Sequence, residues 1–152
     1  MTEIEMMRVA ISVATQTKGS RDFPVGCAIF NNAGELIATG FNERELVNDP
    51  TAHAEIVAIR KAAKLLGSWH LDNHLLVVTL EPCMMCAGAI AQSRIERVIF
   101  GAWDEKAGAV GSKWDLLRDP RSTFRTQVQA GVLADECGDL LKTFIQEVRK
   151  KD

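Results

Sequence analysis

With 152 residues the chain fits one domain (residues 1–152) and has the length to bury a real core. Its 47% hydrophobic and 25% charged residues are ordinary for a soluble globular protein and do not suit a disordered chain. A net charge of -2 lacks the basic excess of a general nucleic-acid binder, and no stretch approaches the roughly 20 apolar residues of a membrane span.

The opening MTEIEMMRVAISV carries acidic residues where a secretory peptide is basic, so a cytoplasmic location is expected. Ile4, Met7, Ala10, Ile11 and Ala14 form one helical stripe, which predicts an amphipathic helix from Glu3 to about Thr17. After a polar loop (Lys18 to Asp22), VGCAIF (Val25 to Phe30) and ELIATGF (Glu35 to Phe41) read as a hairpin, turned at Asn31, Asn32 and Gly34. Asn42 to Pro50 is a loop. Asp49 is placed to cap the next helix and Pro50 to open it, and the helix stops before Gly67.

LLVVTL (Leu75 to Leu80) is a continuous apolar run, as in a strand covered on both faces. A helix from Pro82 to about Ser93 and a strand from Arg97 to Ala102 follow. The segment from Trp103 to Arg125 reads as loop with a short helix near Leu116, and TQVQA as a weak fifth strand. Leu133, Cys137, Leu140, Leu141, Phe144, Ile145 and Val148 recur at helical spacing in a last helix. Strands alternating with helices predict a three-layer α/β/α sandwich around a central mixed five-stranded sheet.

Two segments carry candidate chemistry: TAHAEI, with His53 and Glu55, and TLEPCMMC, with Cys83 and Cys86. Four cysteines admit disulfides, but a CxxC pair in a cytosolic chain reads better as metal-binding or redox. Zinc takes imidazole nitrogen and thiolate sulfur, and three protein ligands leave the fourth position open, as catalytic sites do. Helix N-termini favour the thiolate form, and zinc itself brings a bound water to a pKa of about 7. Glu55, beside the metal rather than on it, is the candidate proton carrier. A lone CxxC or a lone histidine is weak; together they form the H-x-E…P-C-x-x-C signature of zinc deaminases. Cys27 and Cys137 read as core thiols, although Cys27 is the one recruit for a closed structural site. Of Trp69, Trp103 and Trp114, packing is the ordinary role; Trp103 stays open.

Over nearly its whole length the chain resembles the bacterial tRNA-specific adenosine deaminases of the cytidine-deaminase-like superfamily. FPVGCAIF, GFN, DPTAHAEI, TLEPCMMCAGAI, SRIERVIFGAWDEKAGAVGS and GVLADECGDLL carry the resemblance. It implies one zinc per subunit on His53, Cys83 and Cys86, a zinc-bound hydroxide attacking C6 of adenine, and Glu55 shuttling protons. The reaction implied is hydrolysis of adenosine to inosine at the wobble position of an anticodon, in an arginine tRNA reading ACG. The resemblance also implies a homodimer.

By the same resemblance Asn42 contacts the nucleoside, the backbone near Ala54 and Glu81 lines its pocket, and Asp104 approaches a neighbouring ribose. Lys106, Lys113, Arg118, Arg121 and Arg125, with Arg149 and Lys150 in the tail, are candidate phosphate contacts, each open to the plain reading of a solvated charge. Two other functions stand against this one. A deaminase of free bases would use the same zinc site, and a non-catalytic RNA-binding module would use zinc only for folding.

Overall fold

The computed structural model describes residues 1–151. Helix α1 (Glu3–Ala14) begins at a capping box: Thr2 Oγ1 accepts the Glu5 N–H at 3.1 Å, and Glu5 Oε2 accepts the Thr2 N–H at 2.7 Å. The chain continues through β1 (Gly26–Asn31), β2 (Leu36–Phe41), a short α2 (Arg44–Val47), α3 (Ala54–Leu66) and β3 (His74–Leu80). It closes with α4 (Met84–Gln92), β4 (Arg97–Ala102), β5 (Gln127–Gln129) and α5 (Ala134–Lys151).

The strands form one five-stranded sheet in the order β2-β1-β3-β4-β5. β1 is antiparallel to β2 and β3, whereas β3, β4 and β5 run parallel, so the sheet is mixed as expected. Register and the two-residue period of a strand split the inner strands cleanly. Cys27, Ile29, Leu76, Val78, Val98 and Phe100 pack with Ala54, Ala58 and Ala62 of α3 and Ala87 and Ile90 of α4. The alternate positions, Ala28, Phe30, Val77 and Ile99, pack with Met6, Met7 and Ala10 of α1 and Cys137 of α5. Every one of these four alternate side chains is fully buried, which explains why the strands read as unbroken apolar runs. The result is the three-layer α/β/α sandwich.

Small residues set the depth of α3. A Cβ on Gly40 would stand 2.5 Å from the Ala54 carbonyl oxygen and 2.6 Å from the Ala58 nitrogen, so only glycine lets β2 and the start of α3 meet this closely.

Three local expectations are corrected. α3 begins at Ala54, not Pro50, because Asp49 Oδ1 accepts both the N–H and the hydroxyl of Thr51, at 2.9 and 2.8 Å, and so stabilises a turn rather than a helix. The loop after Asn42 contains α2, ended by Asn48 in the left-handed region. No helix forms near Leu116, where the Leu116 N–H reaches across to the Ala109 carbonyl and Gly111 to Trp114 instead of bonding along a helix.

Candidate active site

His53 and Cys83 are the N-cap residues of α3 and α4, both extended, and neither side chain makes a capping hydrogen bond. Each is therefore held at the positive end of a helix with its side chain left for another partner. Cys86 follows in the first turn of α4, and Glu55 in the first turn of α3. Because His53 is the N-cap and lies outside the helix, its side chain and that of Glu55, two residues on, approach the same cysteines.

The ligating atoms of His53, Cys83 and Cys86 lie within 4.8 Å of one another. His53 Nδ1 is 3.5 Å from each sulfur. Tetrahedral zinc with Zn–S and Zn–N bonds of ordinary length would hold nitrogen and sulfur about 3.6 Å apart, so the donor set fits one zinc ion. Cys27 is fully buried in β1 and, among the described residues, takes no part in this group. A closed four-ligand site does not form from it.

The two sulfurs divide one proton between them. The Cys86 side chain, then His53, hydrogen-bond to Cys83 and lower its thiol to about 3, which makes it the thiolate that ligates metals. The same contact with Cys83 raises Cys86, and hydrogen bonding to Cys83 raises His53. Glu55 is 4% exposed; burial raises its carboxyl, against its backbone hydrogen bond and the nearby His53.

The other sequence candidates surround this group. Asn42 is nearly buried just beyond β2; its Nδ2 donates to the Phe23 carbonyl at 3.3 Å and its Oδ1 accepts the Arg44 N–H at 3.4 Å. Ala54 is fully buried as the first residue of α3. Glu81, 2% exposed, turns its carboxylate toward the loop after β4. There it accepts the N–H groups of Asp104, Val110 and Ser112, each at 3.0 Å, and the Ser112 hydroxyl. The same loop pairs Gly108 with Cys83 through the backbone. Asp104 Oδ1 accepts the N–H groups of Lys106 and Ala107, at 3.1 and 3.2 Å.

The basic candidates are all exposed. Arg118 pairs with Asp115 at 3.0 Å and Arg121 with Asp119 at 2.7 Å, on the exposed stretch that also holds Arg125. Lys113 Nζ lies 4.9 Å from the centre of the Trp114 ring. Arg149 and Lys150 lie near the end of α5.

Residues 1–102 match the family model of the cytidine and deoxycytidylate deaminase zinc-binding region. The tRNA-specific adenosine deaminase of Haemophilus influenzae is 44% identical over 147 residues, covering 97% of this chain and 85% of the relative. The chain belongs to the tRNA-specific adenosine deaminase family. A solved structure from work on A-to-I editing by tRNA:A34 deaminases superposes with a TM-score of 0.86 at 37% identity, covering 90% of this chain and 99% of that one. A guanine deaminase from Bacillus subtilis shares the fold more loosely, with a TM-score of 0.67 at 31% identity over 99% of this chain and 95% of that one. Among the described residues, no helix is long and apolar enough to cross a membrane.

Sequence reasoning missed two residues around α2. Arg44 Nη1 stands 3.3 Å from His53 Nε2, the ring nitrogen facing away from the sulfurs. Asp22, 2% exposed, accepts the N–H groups of Glu45 and Leu46 at 2.7 and 3.1 Å, tying the loop after α1 to α2. Arg44 follows the GFN motif closely enough to have been a candidate; Asp22, in a polar loop, gave no such signal.

Proposed function

We propose that this protein, as one zinc-dependent deaminase domain, hydrolyses the wobble adenosine of a tRNA anticodon to inosine and releases ammonia. The observation that carries the reading is the meeting of two helix N-termini: three zinc-fitting donors and a buried glutamate converge there in a member of this family. Zinc, when bound by His53, Cys83 and Cys86, supplies Lewis acidity that brings a coordinated water toward a pKa of about 7.

The remaining work falls to the chain's own side chains. Glu55, shielded from solvent, takes one proton from the attacking water and passes it to N1 of adenine; it then takes the second from the hydroxyl added at C6 and delivers it to the amine as the C6–N bond breaks and the C6 carbonyl forms. The balance is adenosine plus water giving inosine plus ammonia. Asn42 holds the nucleoside through its amide, and the backbone at Ala54 and Glu81 walls the pocket. The Asp104 carboxylate accepts a 2′-OH of a neighbouring nucleotide, which favours RNA over DNA. An anticodon loop suits such a pocket because an unpaired base costs less to extrude. Lys106, Lys113, Arg118, Arg121 and Arg125, with Arg149 and Lys150, are assigned to phosphates; the pairing of Arg118 and Arg121 with loop acids makes these two the weakest assignments.

The substrate proposed is an arginine tRNA with an ACG anticodon, acted on in the cytoplasm by a homodimer. Incubating that transcript alongside guanine, cytosine and free adenosine tests the substrate class. Inosine confined to the wobble position is expected; ammonia from a free base with the tRNA untouched would overturn it. The guanine-deaminase likeness gives the free-base reading its one specific support. Heparin separates the two, since it competes with a phosphate-steered enzyme and spares a free-base enzyme. Sedimentation at twice the chain mass is expected for the dimer.

A further inference from the structure

Trp103 follows β4 directly and is 49% exposed. A single exposed aromatic is ordinary on a protein surface. This one is held. Its ring meets fully buried Phe100 edge-on, with centroids 4.9 Å apart at 86°. The indole also packs on Gly111, where an added Cβ would come within 3.0 Å of its ring and 3.3 Å of Arg118 Nη2. Gly111 also has φ +134, so another residue there would be strained as well as crowded against the indole. The backbone beside the ring is fixed as well, since the next N–H, that of Asp104, is bound by buried Glu81 at 3.0 Å. A ring held against a buried ring and a glycine and still half open to solvent is built to receive something flat.

Its place says what. The loop carrying Trp103 is bound by Glu81, two residues before Cys83, and pairs with Cys83 at Gly108. Trp103 therefore stands on the loop that meets the metal group at Cys83. Extruding one base from a strand takes a stacking partner from each neighbour, and an aromatic face at the rim replaces what is lost. Taking an RNA loop as substrate, as proposed above, we propose that Trp103 stacks the base next to the target adenosine and so contributes to substrate affinity.

The test uses the zinc-loaded protein and an anticodon hairpin carrying 2-aminopurine at each flank of the target adenosine in turn. At one flank the fluorophore should stay quenched in the wild-type complex. With Trp103→Leu, which keeps apolar bulk and removes the aromatic face, it should brighten. KM for the hairpin should rise on the order of 10- to 100-fold, with a much smaller change in kcat. Trp103→Phe should restore most of the quenching and of the KM. An unaltered melting temperature and zinc content in Trp103→Leu separates stacking from packing; if that variant melts early, the Phe variant against the wild type carries the test. Equal quenching and equal KM in wild type and Trp103→Leu would overturn the stacking role alone. A wild-type protein that makes no inosine from the hairpin would overturn the functional reading, and the stacking role with it.

Discussion

Helix α1 and helices α3 and α4 start in opposite ways. At α1 the N-cap Thr2 spends its hydroxyl on the helix, and Glu5 returns the bond. At α3 and α4 the N-caps are His53 and Cys83, whose side chains give the helix nothing and face each other across 3.5 Å. The first start serves stability. The other two leave helix N–H groups without a side-chain cap so that their donors can meet a metal, a local cost accepted at a functional position.

The largest effect expected from breaking this contrast comes at His53. His53→Ala should lose bound zinc, measured by metal analysis, and reduce deamination to background. Chelation should lower the melting temperature of the wild type and leave that of His53→Ala unmoved, since only the former has zinc to lose. A full zinc equivalent in His53→Ala would refute the three-donor site.

Next is Glu81, which does for the loop after β4 what Thr2 does for α1, but from a buried position. Glu81→Ala would strand the N–H groups of Asp104, Val110 and Ser112, at a cost of about 2–4 kcal/mol by denaturant unfolding. Gly40→Ala, which pushes α3 away from β2, should cost about 1–3 kcal/mol by the same measurement.

The smallest effects sharpen the contrast most. Thr2→Ala should destabilise the protein by about 1 kcal/mol. Cys83→Ser should do the reverse in chelated protein, adding up to about 1 kcal/mol because serine caps a helix well, while zinc binding falls. A Cys83→Ser protein less stable than the wild type when both are stripped of metal would show that Cys83 has a packing role beyond the site.

The contrast also explains what could be read in advance. The buried strands announce themselves as apolar runs, and His53, Glu55, Cys83 and Cys86 as a spaced signature, because both depend on neighbours in sequence. The start of α3 was misplaced because Asp49 and Pro50 have the chemistry of a helix start, but Thr51 took the Asp49 carboxylate first. The course of the segment 103–117 was not legible, since it rests on Glu81 from more than 20 residues away. Asp22 and α2 were hidden for the same reason, a carboxylate bonding N–H groups of a helical turn more than 20 residues away. The half-exposed tryptophan was visible as a residue, but its bracing by Phe100 and Gly111 was not.

The central claim is that a zinc site on two helix starts works with Glu55 as its proton carrier. The direct measurement is Glu55→Gln, assayed for inosine at the wobble adenosine of an ACG-anticodon arginine tRNA, with zinc determined on the same sample. The account predicts one zinc per chain and turnover reduced by about 10²- to 10⁴-fold. Turnover at the wild-type rate with zinc in place would contradict it.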